Sequence, residues 1–169
     1  MKRPERAQAK VFGAEWMTHE VEVAGLVNRP LRLTVSDLRS MPHTEVNNVG
    51  LICGSGRNDG VVKSYRGVRL TAVLERADVV MKHHDSPNYM FVTVASSDAH
   101  WALFSYQELF NTSIGEQAIV IVERDGQPLD EKEGEIAFVS ANDVRPGPRR
   151  LRYLQRIEVH EHSIGEARE

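Results

Sequence analysis

The sequence predicts an α+β domain, mainly β, with layered mixed sheets and short helices. Two observations carry that prediction. Apolar or alternating runs of strand length recur, at 19–25, 31–35, 44–53, 89–94, 101–104, 118–122, 136–139 and 153–159. The helical patterns between them are brief, and no repeat or linker divides the 169 residues. The expected organisation is a polar N-terminal arm over 1–18, one domain over 19–160 and a polar tail over 161–169.

Composition narrows the function classes. A net charge of -3 gives no basic field for nucleic acid. A single Cys excludes an intramolecular disulfide. No apolar stretch approaches the roughly 18 residues of a membrane span, and residues 1–10 are charged rather than signal-like. The compartment expected for the chain as written is the cytoplasm.

Taken in order, His19-Glu20-Val21-Glu22-Val23-Ala24-Gly25 alternates polar and apolar residues, as a half-buried strand does. Asn28-Arg29-Pro30 reads as a turn, and Leu31-Arg32-Leu33-Thr34-Val35 alternates again, which predicts a hairpin. Ser36-Asp37 is expected to cap a short helix that runs to Met41 and stops at Pro42. The extended run at 44–53 leads into Leu51-Ile52-Cys53-Gly54-Ser55-Gly56-Arg57-Asn58-Asp59-Gly60. This stretch brings the only Cys to a glycine-rich loop whose backbone another molecule can approach closely. A thiol, bare backbone and a cation within five residues suit an anionic, thiolate-ligated cofactor. The same residues also suit a small buried Cys at a strand end, followed by an ordinary turn.

Further on, Thr71 is expected to cap a helix with apolar positions Ala72, Val73, Ala77 and Val80. Residues 82–88 form a polar loop, and strands at 89–94 and 101–104 follow. Ser105-Tyr106-Gln107-Glu108 fits a capping box at the start of a short helix. After the apolar run at 118–122, Arg124-Asp125-Gly126 is a turn, and a charged segment leads to a strand at 136–139. The loop 145–150 holds two prolines before the last strand.

The ordered set of signals over about 19–160 resembles the molybdopterin-binding domain of the sulfite oxidase family. It begins with Val23-Ala24-Gly25-Leu26-Val27-Asn28-Arg29-Pro30-Leu31-Arg32-Leu33-Thr34, then Asp37-Leu38 and Met41-Pro42. Cys53, with Arg57 four residues on, is similar to the family's Cys-x-Gly-Asn-Arg stretch, whose thiolate binds molybdenum. Tyr65-Arg66-Gly67-Val68-Arg69-Leu70 is similar to the family's tyrosine-glycine segment before a helix. Asp125-Gly126-Gln127-Pro128-Leu129 with Gly134 is similar to a later turn. Gly147-Pro148-Arg149-Arg150-Leu151-Arg152-Tyr153-Leu154 resembles the stretch that grips the pterin, and Ile157-Glu158-Val159 closes the domain. The resemblance implies a sulfite-oxidase-type fold and a molybdenum-cofactor oxidoreductase acting on a small anionic substrate, an oxyanion or oxide, with an external electron carrier. It implies Cys53 as metal ligand, Cys53, Arg57 and Tyr65 at the reacting centre, and Arg57, Arg149 and Arg152 with Cys53 at the cofactor.

Chemistry supports those residue types. Soft metals accept thiolate, a nearby guanidinium favours the charged thiol, and arginine forks suit a phosphate. Arg145, Arg149, Arg150, Arg152 and Arg156 are concentrated within twelve residues, as an anion site or as a solvated strip. Tyr65 is a candidate substrate-side hydroxyl or a core ring with its OH at the surface. Asp98 is expected at the mouth of the pocket that His100, beside Trp101, would face if it is not a packing residue. His83 and His84 read as surface loop, and His100 as a packing or strand-end residue.

Some positions depart from the family. Ser55 and Gly56 stand where the sulfite-oxidising members carry Gly and Asn. Ala137 and Ser140 stand where a basic residue and a proline are usual. The length also leaves no room for the extra dimerisation domain of full sulfite oxidases. These departures support a second expectation: a metal-free domain of the same fold that binds a small anion or a protein partner.

Overall fold

The computed structural model describes residues 13–52 and 58–163. Within them lie ten strands: β1 (Glu20–Gly25), β2 (Leu31–Thr34), β3 (Thr44–Ile52), β4 (Asn58–Arg69), β5 (Met90–Ser96), β6 (Trp101–Ser105), β7 (Ala118–Arg124), β8 (Gln127–Pro128), β9 (Ala137–Ser140) and β10 (Leu154–Glu161). The four helices are short: α1 (Val35–Ser40), α2 (Leu70–Ala77), α3 (Tyr106–Asn111) and α4 (Ser113–Glu116).

Two sheets are layered on one another. The first has the order β2-β1-β10-β5-β6 and the second β3-β4-β7-β8, with β9 also paired to β7. Only β1 and β10, the first and last long strands, run parallel; the other neighbours are antiparallel. The mixed first sheet therefore ties the two ends of the domain together.

Sequence pattern decides which face each strand buries. In β1 as far as Val23, and throughout β5, every second residue is buried, the half-buried pattern the alternation predicts. β7 instead buries all of Ala118, Ile119, Val120, Ile121 and Val122. Ala118, Val120 and Val122 enter the main core between the sheets, with Val23, Val92, Phe104 and Phe138. Ile119 and Ile121 enter a second, smaller core with Val46, Val49, Val62, Tyr65, Ala137 and Val139 on the other face of the same sheet. A continuous apolar run thus marks a strand covered on both sides.

Local chemistry places several boundaries away from their expected positions. The cap of α1 is Thr34, not Ser36: its hydroxyl accepts from the Asp37 N–H at 3.2 Å, and Asp37 Oδ2 accepts from the Thr34 N–H at 2.9 Å. α2 begins at Leu70 without a side-chain cap, so Thr71 lies inside it. Ser105 does cap α3, accepting from the Glu108 N–H at 3.0 Å. β4 begins at Asn58, so Gly60 belongs to a strand rather than to a loop. Asp125 and Gly126, with φ of 50° and 78°, form the two-residue turn that joins β7 to β8. Tyr153 has φ 53°, which ends any extended run and starts β10 at Leu154.

Candidate functional site

Arginines from one short segment anchor in two carboxylate clusters, one beside α3 and the first sheet's edge strand β6, the other on the outward face of the second sheet. β9 ends at Ser140, and a 3-10 turn at Gly147–Arg149 packs against β3 and β9. Leu151 pairs with Phe138 through two backbone hydrogen bonds of 2.9 Å and is buried in the main core. Its neighbours therefore turn the other way, and Arg150 reaches the smaller core.

The first cluster fastens the turn. Arg149 donates to Asp143 through Nε at 2.7 Å and Nη2 at 2.6 Å, a two-pronged contact. Nη2 also meets Glu108 Oε1 at 2.9 Å, and Nη1 donates to the Leu103 carbonyl at 3.2 Å. The guanidinium lies 4.1 Å from the centre of the Phe104 ring. Ser140, fully buried, donates to Asp143 Oδ1 at 2.7 Å. Ser140 thus completes the hydrogen bonds of the aspartate that holds Arg149.

The second cluster is deeper. The Glu133 side chain is 3% exposed. It accepts from Arg124 Nη1 and the Tyr65 hydroxyl, the latter at 3.1 Å, and meets Arg150 Nη2 at 3.0 Å. Arg150 Nε in turn donates to the Tyr65 oxygen at 3.2 Å. One buried carboxylate thus joins the end of β7, the middle of β4 and the arginine segment. Burial raises the Tyr65 hydroxyl above its ordinary pKa, against the lowering effect of Arg150, so it stays protonated and donates.

Arg152 lies partly buried beside Arg150. Burial, and then the like charge of Arg150, lower its pKa, while Glu133 opposes them. Such a cation gains from a further anion nearby. The next residue, Tyr153, is held on both sides: its N–H donates to the Glu133 carbonyl at 2.9 Å and its hydroxyl donates to the Glu131 carbonyl at 2.7 Å. Gly134, at φ +86°, makes room for this ring: a Cβ there would lie 2.8 Å from Tyr153 Cδ1.

The predicted site residues therefore fall into three groups. Tyr65 joins the arginine segment, but as a fully buried ring whose hydroxyl is bonded inside the protein rather than placed at the surface. Arg149 and Arg152 share the segment, with Arg149 bound to Asp143 and Glu108. Cys53 and Arg57 lie outside the described residues. The five arginines do not form one patch: Arg145 is exposed, and Arg156 bonds Glu22 and Glu158 on the first sheet. Asp98 accepts from the Ser96 hydroxyl and sits 3.3 Å from His100. His83 and His84 are exposed, and among the described residues no group of His, Cys, Asp or Glu could hold a metal. Sequence reasoning missed Glu133 and Asp143. Glu133 stands among Asp130, Glu131, Lys132 and Glu135, and only the adjacent Gly134 hints that the chain turns inward there.

Comparison with known proteins matches residues 8–166 to the oxidoreductase molybdopterin binding domain. No curated protein matches the chain in sequence. Among solved structures the chain is similar in fold to the sulfane dehydrogenase SoxCD from Paracoccus pantotrophus, with a TM-score of 0.62 and 17% identity. That likeness covers 84% of this chain and 38% of the other, so this chain spans well under half the length of that protein.

Proposed function

The chain belongs to the oxidoreductase molybdopterin-binding domain family, and we propose that it is itself a molybdopterin-dependent oxidoreductase of the sulfite oxidase type. The observation that carries this reading is the convergence at the second sheet. The strand that leads to Cys53, β3, packs against the turn that opens the arginine segment. Segments separated by about half the chain's sequence are thereby joined on one sheet.

Three arginines of one short segment, Arg149, Arg150 and Arg152, are partly buried side by side, and an anion bound there would offset the like charge that Arg150 places on Arg152, as Glu133 already does in part. Arg152 and Arg149 would hold the cofactor's phosphate, and Cys53 would ligate its metal. Bound there, the molybdenum centre supplies two-electron oxygen-atom chemistry. The chain's own part is position and charge. Arg57 favours the Cys53 thiolate and an anionic substrate. Arg149 fixes the turn through Asp143, and Tyr65 holds Arg150 in line. The substrate class is a small oxyanion or oxide, and an external carrier takes the electrons.

A second reading, a metal-free domain that binds a small anion or a protein partner, is favoured by one observation. The donors of Arg149 are already turned to Asp143, Glu108 and the Leu103 carbonyl, so a phosphate must compete with two carboxylates. Elemental analysis separates the two readings. Protein expressed with molybdate and a competent pterin pathway should hold near-stoichiometric molybdenum and lose it in Cys53→Ala. Absence of molybdenum from both proteins would leave only the second.

A further inference from the structure

We propose that Glu133 is a positioning residue for anion binding: its carboxylate fixes Arg150 and its backbone carbonyl fixes the turn at Tyr153, and together they aim Arg152. The inference rests on the proposed function for the anion, a phosphate, and for its contact with Arg152. The residue lies in none of the motifs the sequence singles out, yet its carboxylate joins Arg150 to Tyr65 and Arg124 and its carbonyl accepts from the Tyr153 N–H.

The argument starts from burial. A guanidinium stays charged at any pH a protein meets, so Arg150, with its side chain only 10% exposed, needs a counter-charge. Glu133 supplies it, and the Tyr65 hydroxyl bonds both partners. Arg124 takes the second carboxylate oxygen. With both oxygens engaged, the carboxylate cannot rotate without breaking one of these contacts.

The backbone of the same residue does the rest. A bulky residue at positive φ is held only where its surroundings over-determine it. Tyr153 is held by the Glu133 carbonyl on its N–H, the Glu131 carbonyl on its hydroxyl and the space left by Gly134. The turn sits between Arg152 and β10, so it sets where the Arg152 side chain leaves the backbone. Removing the Glu133 charge leaves Arg150 buried without its counter-ion. Arg150 then swings toward water, and Arg152, two residues on, moves with it.

The test is titration of the full chain with inorganic phosphate, followed by the side-chain Nε–H resonances of Arg150 and Arg152, beside a thermal melt. Glu133→Gln, nearly isosteric, should bind phosphate about tenfold more weakly or worse, and Glu133→Asp should recover part of the loss. A role in packing alone would lower the melting temperature and leave phosphate affinity unchanged. Equal or tighter binding by folded Glu133→Gln overturns the inference, as does failure of the unsubstituted chain to bind phosphate. If Glu133→Gln does not fold, Tyr65→Phe decides: weaker binding, by about threefold or more for the two lost hydrogen bonds to Glu133 and Arg150, supports the inference, and unchanged binding overturns it. A chain that takes up no molybdenum but binds phosphate in a Glu133-dependent way refutes the proposed function and leaves this inference standing.

Discussion

The outward face of the first sheet carries Arg32, Glu20, Glu22, Arg156 and Glu158 in ion pairs of 2.7 Å that remain open to water. The outward face of the second sheet buries Val46, Val62, Ile119, Ile121 and Val139, with Tyr65 among them and Glu133 against its hydroxyl. Both faces use arginine–carboxylate pairs, in different solvents. In water such pairs contribute little and leave the face free. Out of water an unpaired partner is costly, so the pairs on the second sheet lock segments together. The contrast teaches that the second sheet has been closed over by loops 129–134 and 147–153, and that this closure, rather than the sheet itself, forms the candidate site.

The strongest way to break the contrast is Glu133→Ala, which strips the counter-charge from Arg150. It should cost roughly 3–5 kcal/mol, read as a shift of the urea midpoint. Next comes Gly134→Ala, which strains the backbone at φ +86° and drives a methyl into Tyr153. A loss of about 1–3 kcal/mol is expected, with weaker phosphate binding as its second sign. Asp143→Asn keeps the shape of the first cluster but weakens the hold on Arg149, for about 1–2 kcal/mol. If the second reading holds, the same change should tighten phosphate binding by freeing Arg149.

The smallest effect belongs to the first sheet. Arg156→Ala removes two open ion pairs and should cost under about 1 kcal/mol, less in high salt. Its pH dependence has a fixed sign. The hydrogen bond from Arg156, and then its charge, hold the Glu158 carboxyl below its ordinary value of 4.5. The pair therefore contributes fully above that value and loses its contribution as pH falls toward the folded pKa. A small stability difference between Arg156→Ala and the parent at pH 7 that shrinks steadily as the pH is lowered below 4.5 checks it.

Much of the fold was legible in the sequence. Alternation in β1, β2 and β10 and the apolar run of β7 are direct imprints of one-sided and two-sided burial. The ordered motifs, from Val23-Ala24-Gly25 to Ile157-Glu158-Val159, led to the same family that residues 8–166 match. Caps were less legible: Thr34 and Ser36 are both good caps, and only the reciprocal bond with Asp37 selects one. The site was least legible. Arg145, Arg149, Arg150, Arg152 and Arg156 look like one strip in sequence, but the strand alternation and the turn at Tyr153 send them to different faces. Glu133 is hidden for the same reason. A charged residue in a charged segment reads as solvated until a distant tyrosine and two arginines close over it.

The central claim, that the closed face of the second sheet is a cofactor cradle, is tested most directly by amide hydrogen exchange. The comparison is between protein made with molybdate and a competent pterin pathway and protein made without them. The account predicts slower exchange in the loaded protein at 129–134 and 147–153, with the strands of the first sheet unchanged. Identical exchange in the two preparations would contradict it.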